Sequence, residues 1–256
     1  MEVTYSARSH IGSVREKNED NLYVAGVTLP HDICERPFFR PFSIDGKSAS
    51  PAIFAVCDGM GGESNGEIAS LLAVETLMNL DERIKANTQK KWDDVIQSYV
   101  DDVDNAIEHN EKNHNKRMGT TLALIVITRK GIQCFNVGDS SIFNLQRNKF
   151  AKITNDHTLA GGNKLTRCIG IGEARTIESY PMITGKCRIL ICSDGLTDMV
   201  NLKSIEHAMR FYKHTSDAAN AMLETALDNG GNDNVTLIVA DINVYRAPLL
   251  HVFMKK

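Results

Sequence analysis

The chain has 256 residues, 42% hydrophobic and 24% charged, which excludes a mainly disordered chain because enough apolar surface is present to offset the entropy of ordering. Its 29 Lys and Arg against 32 Asp and Glu leave a formal charge of -3, so the charge balance gives no reason to expect nucleic acid as a partner. No apolar run approaches the ~20 residues of a membrane-spanning helix. The first residues, Met1-Glu-Val-Thr-Tyr-Ser, lack the basic and apolar regions of an export signal. The six cysteines, Cys34, Cys57, Cys134, Cys168, Cys187 and Cys192, form no C-x-x-C pair. A reduced, cytoplasmic protein is the expectation, with Cys57, Cys134 and Cys192 as small buried thiols in strands.

Residues 3–7 alternate apolar and polar side chains, the pattern of a half-buried strand. Residues 21–27 read as a second strand, and residues 28–51, with four prolines and an Asp45-Gly46 turn signal, as a long connection or hairpin. Residues 51–57 form a nearly continuous apolar run that ends in Asp58-Gly59, which suits a buried strand delivering a carboxylate at its end. Two helices follow. The first starts near a cap at Ser64 or Asn65 and carries Ile68, Leu71, Leu72, Leu77 and Leu80. The second, residues 91–109, places Trp92, Val95, Ile96, Tyr99, Val103 and Ile107 three and four apart.

Strands are then expected over 120–128, 132–137, 141–145 and 150–153, with turns at Gly131, Gly138-Asp139 and Arg147-Asn148. A further strand at 187–192 ends in Ser193-Asp194-Gly195. Helices at 202–212 and 216–228 and a strand at 235–242 complete the series. Strands and helices are segregated rather than strictly alternating, which favours an α+β arrangement of layers.

Acidic residues recur where strands stop beside glycine: Glu19-Asp20, Asp58-Gly59, Asp194-Gly195, and Asp233 after Gly230-Gly231. Any one Asp-Gly pair is ordinarily only a turn. Carboxylates gathered in space repel unless a cation joins them, and Mg²⁺ or Mn²⁺ prefers such oxygen ligands. Arg15, four residues before Glu19, could grip phosphate oxygens in a fork.

The ordered phrases Gly12-Ser-Val-Arg15-Glu-Lys-Asn18-Glu19-Asp20, Cys57-Asp58-Gly59-Met60-Gly61-Gly62, Gly66-Glu67-Ile-Ala-Ser70, Met118-Gly119-Thr120-Thr121, Asn136-Val-Gly138-Asp139-Ser140, Asp156-His157, Leu165-Thr166-Arg167, Cys192-Ser193-Asp194-Gly195-Leu196-Thr197-Asp198 and Asp233-Asn234-Val-Thr236 closely resemble the metal-dependent protein serine/threonine phosphatases, the protein phosphatase 2C or PPM family. The resemblance runs from about residue 5 to residue 241. It implies a four-layer α-β-β-α sandwich with two central antiparallel sheets, two Mn²⁺ or Mg²⁺ ions per chain, and a phosphatase domain over residues 1–243 followed by a tail at 244–256.

Carried over by position, Asp58 resembles the carboxylate bridging both metals, with the Gly59 carbonyl on one of them. Asp194 and Asp233 resemble ligands of the other, and Glu19 and Asp20 contribute directly or through water. Arg15 resembles the phosphate clamp, and Asn234 a group orienting coordinated waters or Asp233. Gly138-Asp139 is read as a turn rather than a metal site. The implied reaction is hydrolysis of phosphoserine and phosphothreonine in proteins by a water activated between the ions.

The implied partners are phosphoprotein substrates of a Ser/Thr kinase, with no nucleic acid and no membrane, and the chain is expected as a monomer. Cys34 and Arg40 have the spacing of a cysteine phosphatase, but the intervening Glu-Arg-Pro-Phe-Phe has no glycine to let amides wrap a phosphate.

The chain departs from the family pattern at three places. Glu63 stands where many relatives carry a histidine able to protonate the leaving alkoxide, so a metal-bound water could serve instead or the leaving-group step be slower, with His10 and His157 as secondary candidates that could equally be structural or exposed. Lys116 stands where bacterial relatives have one of two acids for a third metal, the other being present as Asp198, so a third metal is expected to bind weakly or not at all. The interval 158–164 is too short for the usual flap, which implies an open cleft; the 28–51 segment with Phe38, Phe39 and Phe42 could border it or pack over a sheet edge. A phosphoprotein-binding pseudophosphatase and a phosphodiesterase are the competing readings.

Overall fold

A computed structural model of the chain describes residues 2–30, 40–61, 65–86, 91–114, 117–159, 164–171 and 176–244. In chain order the elements are β1 Glu2–His10, β2 Asp20–Val24, β3 Val27–Thr28, β4 Phe42–Ser48, β5 Ala52–Gly61, α1 Gly66–Ala86, α2 Trp92–His114, β6 Met118–Thr120 and β7 Leu122–Ile127. There follow β8 Ile132–Val137, β9 Ser141–Gln146, β10 Lys149–Lys152, β11 Glu178–Ser179, β12 Lys186–Cys192, α3 Asp194–Met199, α4 Leu202–Phe211, α5 Thr215–Asp228 and β13 Val235–Asn243.

The strands form two antiparallel sheets, ordered β10-β9-β12-β13-β1-β4 and β11-β8-β7-β5-β2-β3, with β6 added to the far end of β5. Side chains alternate across each strand, so each buried strand serves two cores. Phe54 and Val56 of β5 and Ile125 of β7 meet Ala7, Ile191, Ile238 and Ala240 between the sheets. The alternate residues Ile53, Ala55, Cys57, Leu124 and Val126 face α1 and α2. On the other side Leu190, Val235, Leu237 and Val239 face α3, α4 and α5. Three apolar interfaces separate four layers, which is the α-β-β-α sandwich the resemblance implies. Continuous apolar runs such as residues 52–57 follow from burial on both faces.

The face of α1 against the sheet is Ala69, Ala73, Val74 and Leu77, while Ile68, Leu71 and Leu72 are only half-buried. The small alanines let the helix lie close, and Tyr99 of α2 donates from its hydroxyl to the Ala73 carbonyl at 2.9 Å. Cys57, Cys134 and Cys192 are free and fully buried, as expected, and Cys168 and Cys187 are also free and buried. Cys34 lies outside the described residues.

Several turn signals resolve differently. The expected strand 21–27 is a hairpin: Ala25 and Gly26 take φ of 50° and 93°, and Val24 pairs with Val27. Asp45-Gly46 lies inside β4, an edge strand paired with β1, where Asp45 accepts from Arg8 Nη1 at 2.9 Å. The same dipeptide that makes a turn elsewhere is here held extended by its neighbour strand. Asp58-Gly59 is likewise mid-strand, because β5 continues to pair Gly59 with Thr120. The expected strand 120–128 breaks at Thr121 into β6 and β7, and the short elements α3 and β11 are additions.

Phe42 packs against the core between the sheets; Phe38 and Phe39 lie outside the described residues. Phe54 is fully buried there, whereas Met78 on α1 is 49% exposed. Phe54→Ala is expected to lower the unfolding free energy by about 3–5 kcal/mol and Met78→Ala by less than about 0.5 kcal/mol in urea titrations.

Candidate functional site

Both sheets end at one edge of the sandwich, where β1 and β5 hand over to loops and β13 begins. Asp20 and Asp58 face each other across β2 and β5. Asp194 opens α3 immediately after β12, and Asp233 directly precedes β13. Arg15, Glu19, Asp58, Gly59, Asp194 and Asp233, from four separate stretches of sequence, line one cleft of about 300 Å³. Asp20 lies beneath it, 2% exposed.

Hydrogen bonds fix the backbone under these side chains. The Asp58 N–H donates to Thr121 Oγ1 at 2.9 Å, and the Thr121 N–H donates to the Asp58 carbonyl at 2.9 Å, which accounts for the break between β6 and β7. The Gly59 N–H donates to the Glu19 carbonyl at 3.1 Å. A Cβ on Gly59 would lie 2.0 Å from the Gly66 carbonyl oxygen, so glycine is required for the start of α1 to cross β5. Asn65 precedes this crossing and accepts through its carbonyl from the N–H groups of Ile68 and Ala69, which places it at the cap. Ser64 lies outside the described residues.

Asn234 works differently from its expected role. Its Nδ2 donates to the carbonyls of Ile11 and Lys17, both at 2.9 Å, and its Oδ1 accepts from the Glu19 N–H at 2.8 Å. The side chain therefore clamps the loop that carries Arg15 and Glu19, and only its backbone N–H reaches Asp233 Oδ1, at 2.8 Å.

A buried polar chain ties the two sheets together below the cleft. Ser193 Oγ donates to Asp20 Oδ2 at 2.8 Å and accepts from the Thr236 N–H at 3.0 Å. Thr236 and Ser9 hydroxyls join at 2.8 Å, and Asn18 Nδ2 donates to Ser9 Oγ at 2.9 Å. Asp20 Oδ1 is buried and has no hydrogen-bond partner among the described residues.

Like charge and burial act together on the carboxyls. Burial raises Asp58 well above the usual carboxylate range, reinforced by Asp20 and Asp194. Asp194 is raised by burial, while contact with the Asp58 carboxyl, the proton donor of the pair, partly offsets this. Asp20 is pushed up to about 7 by burial, against the hydrogen bonds from Ser193 and Thr236. Glu19 is raised by burial and by Glu67. Arg15 Nη2 meets Asp233 Oδ2 at 2.6 Å, which holds the guanidinium protonated.

Asp139, read from sequence as part of a turn, also belongs to the cleft. The turn is real, with Gly138 at φ 105°, yet it aims a half-buried carboxyl at Asp194, and burial followed by that neighbour raises it to about 7. His157 builds the turn. Its Nδ1 accepts from the Gly138 N–H at 3.0 Å, so the proton sits on Nε2, 2.9 Å from Glu178 Oε2. Both nitrogens are thus engaged in support, which removes His157 from the candidates for protonating a leaving group. His10 Nδ1 accepts from the Gly12 N–H at 2.9 Å.

Asp198 lies on α3, raised by burial and by Asp233 and Asp156. Glu63 and Lys116 lie outside the described residues. Of the short interval over 158–164, Thr158 bridges to Leu165, which lines the cleft, while residues 160–163 lie outside the described residues.

The donor set is all oxygen, mutually repelling, and includes the orphaned Asp20 Oδ1, which fits hard divalent cations. Among the described residues no three acidic, histidine or cysteine side chains form a ready-made coordination shell. Asp233 Oδ2 is taken up by Arg15, and the Asp58 carboxyl contacts that of Asp194.

A phosphatase-like sandwich with an acidic, arginine-flanked cleft defines the class, and comparison with known proteins gives the family. A family profile described as Protein phosphatase 2C matches residues 42–229, so the chain belongs to that family. The serine/threonine protein phosphatase PstP of Mycobacterium tuberculosis is 28% identical over 262 residues, 95% of this chain and 46% of PstP; the chain thus spans about half the length of that relative. The serine/threonine phosphatase stp of Listeria welshimeri is 27% identical over 261 residues, 93% of this chain and 95% of that protein. The crystal structure of M. tuberculosis PstP/Ppp superposes with a TM-score of 0.77 at 26% identity, covering 95% of this chain and 100% of that one. The PstP catalytic domain in complex with two manganese ions gives 0.74 at 28% identity, covering 94% and 99%.

Two outcomes are expected. In chelator-treated protein, Asp20 and Asp139 hold protons in the folded state between 3.8 and about 7 that the unfolded chain has released. Stability is therefore lost as pH rises through that window, and the thermal midpoint should fall from about pH 5 to about pH 8; a midpoint that rises instead would contradict the burial of these groups. At His157, Asn keeps an acceptor for Gly138 whereas Gln reaches only Glu178. His157→Gln should therefore be the less stable variant in denaturant unfolding, by about 1–3 kcal/mol for the unsatisfied amide.

Proposed function

We propose that the chain hydrolyses phosphoserine and phosphothreonine in proteins, using two Mn²⁺ or Mg²⁺ ions held by Asp58, Asp194, Asp233, Glu19, Asp20 and the Gly59 carbonyl, with Asp139 added to the set. The observation that carries this reading is the convergence of these groups with Arg15 in one cleft of a protein phosphatase 2C family member, Asp20 lying buried beneath it. Residues 1–243 are taken as the catalytic unit, acting as a cytoplasmic monomer that opposes a Ser/Thr kinase. No helix among the described residues is long and apolar enough to cross a membrane.

Divalent cations bound in such a set supply Lewis acidity and bring the pKa of water near neutral. The chain's own residues do the rest. Arg15 leaves Asp233 and presents its fork to two non-bridging phosphoryl oxygens, offsetting their negative charge as it grows toward the transition state. Asn234 holds the loop beneath Arg15, so the guanidinium approaches from a fixed base. Ser193 and Thr236 anchor Asp20, while hydrogen bonds to Thr121 hold the Asp58 backbone. Attack by a water oxygen on phosphorus breaks the bond to the Ser or Thr oxygen and yields the alcohol and inorganic phosphate. The interval 158–164 is too short in sequence for the usual flap, which favours a cleft open to a folded substrate.

Turnover of p-nitrophenyl phosphate and of a phosphothreonine peptide should vanish with EDTA and return with Mn²⁺. Asp58→Ala should lower kcat by about 10³-fold, and Arg15→Ala should lower kcat as well as raise KM. Metal-independent turnover, or none in the presence of Mn²⁺, would refute the proposal.

A further inference from the structure

The outer sheet is not fully covered by its helices. Glu2, Thr4, Asp241, Asn243, Lys186 and Arg188 sit on neighbouring strands in register, all on the helix side. Their strand neighbours Val3, Ile242 and Cys187 point into the core between the sheets. Together with the β9–β10 turn and the segment after α4 they line a groove of about 760 Å³. It lies at the end of β13 away from the cleft, one nine-residue strand from Asn234, about 30 Å at the usual rise per residue.

The groove carries five basic side chains against two acidic ones in a chain whose net charge is -3. Most of the fixed charge is internally matched. Arg188 grips Asp241 through Nε and Nη2, both at 2.7 Å, and its Nη1 donates to the Tyr212 carbonyl at 2.6 Å. Arg210 pairs with Glu206, and Glu2 with Lys47. What remains is Arg147, Lys186 and Lys213, all exposed and without a carboxylate partner among the described residues.

Arg147 is displayed by a turn in which it and Asn148 take φ of 49° and 60°, a conformation favouring Asn and Gly, so an arginine is kept there at a local cost. At the rim, next to the groove residue Tyr212, stands Phe211, 69% exposed, stacked on His207 and edge-on to Tyr212. An uncovered aromatic at the rim of a groove with unmatched cations is the composition of a binding surface rather than of a solvated face.

We propose that this groove docks an extended acidic segment of the phosphoprotein substrate, remote from the phosphorylated residue, with an apolar side chain of that segment resting on Phe211. The proposal rests on the phosphatase reading above. The chain's own residues 245–256 are a poor occupant on charge, since they contain Arg246, Lys255 and Lys256 and no acid. Docking at a second point makes capture of the phosphorylated residue effectively intramolecular and lowers KM without touching the chemistry.

The test compares the full chain with Arg147→Glu/Lys186→Glu/Lys213→Glu, with the corresponding triple Gln variant, and with Phe211→Ala. Binding of fluorescein-labelled octaglutamate, followed by anisotropy at low salt, should weaken about tenfold or more in the Glu variant, less in the Gln variant, and with rising salt in the wild type. The KM for phosphorylated casein, an acidic phosphoprotein, should rise several-fold in the Glu variant and in Phe211→Ala, while kcat/KM for p-nitrophenyl phosphate stays unchanged. Equal anisotropy in wild type and Glu variant would overturn the groove assignment. Tighter wild-type binding of a deoxythymidine oligonucleotide or of anionic vesicles than of octaglutamate, lost in the same variant, would also overturn it. If octaglutamate binding behaves as expected but neither phosphate substrate turns over, the groove stands and the phosphatase reading fails.

Discussion

Several carboxylates crowded at one partly buried edge are the constraint on which the rest of this molecule depends. Burial first, and like-charged neighbours second, raise Asp20, Asp58, Asp139 and Asp194, with the Asp58 contact partly offsetting the rise at Asp194. A flexible chain would relax such a cluster by moving it apart. This fold does not permit that, because the carboxylates are attached to two stiff sheets whose ends are held by Asp20, Ser193, Thr236 and Ser9. The apolar layers therefore serve the polar edge: burial on both faces of each central strand fixes the strand ends, and the strand ends fix the charges.

The same logic explains which residues support rather than react. Asn234, Thr121 and His157 each hold a backbone group next to the cleft through a side-chain hydrogen bond. Their polar chemistry is spent on holding loops 11–19 and 138–140 and the Asp58 backbone in place. A cluster of like charges needs such a scaffold more than a neutral site does, since every acidic side chain is pushed outward by its neighbours.

Layer order, most helices and the central strands were legible because burial on two faces leaves long apolar runs, and Asp58, Asp194 and Asp233 were legible because each ends such a run or follows a glycine turn. What the sequence hid was context. Asp-Gly at 45–46 and 58–59 resembles a turn, yet strand pairing keeps both extended. Asp139 was taken for a turn residue and is one, but the turn also delivers its carboxyl; only the neighbour across space, Asp194, reveals this. The role of Asn234 was hidden for the same reason, since its partners at Ile11, Lys17 and Glu19 lie more than two hundred residues away. The helix α3 is too short, at six residues, to leave a periodic signal.

The contact between Arg15 and Asp233 has one more consequence. A single carboxylate oxygen cannot serve a guanidinium and a cation equally well, so on the proposed reading a cation at Asp233 would set the arginine loose, and engaging the arginine elsewhere would bare the aspartate. Thermodynamic reciprocity would then make the two ligands mutual helpers, an anion on Arg15 tightening the hold on the cation by the same factor as the reverse. The pair would behave as a latch with two keys, turning either one easing the other.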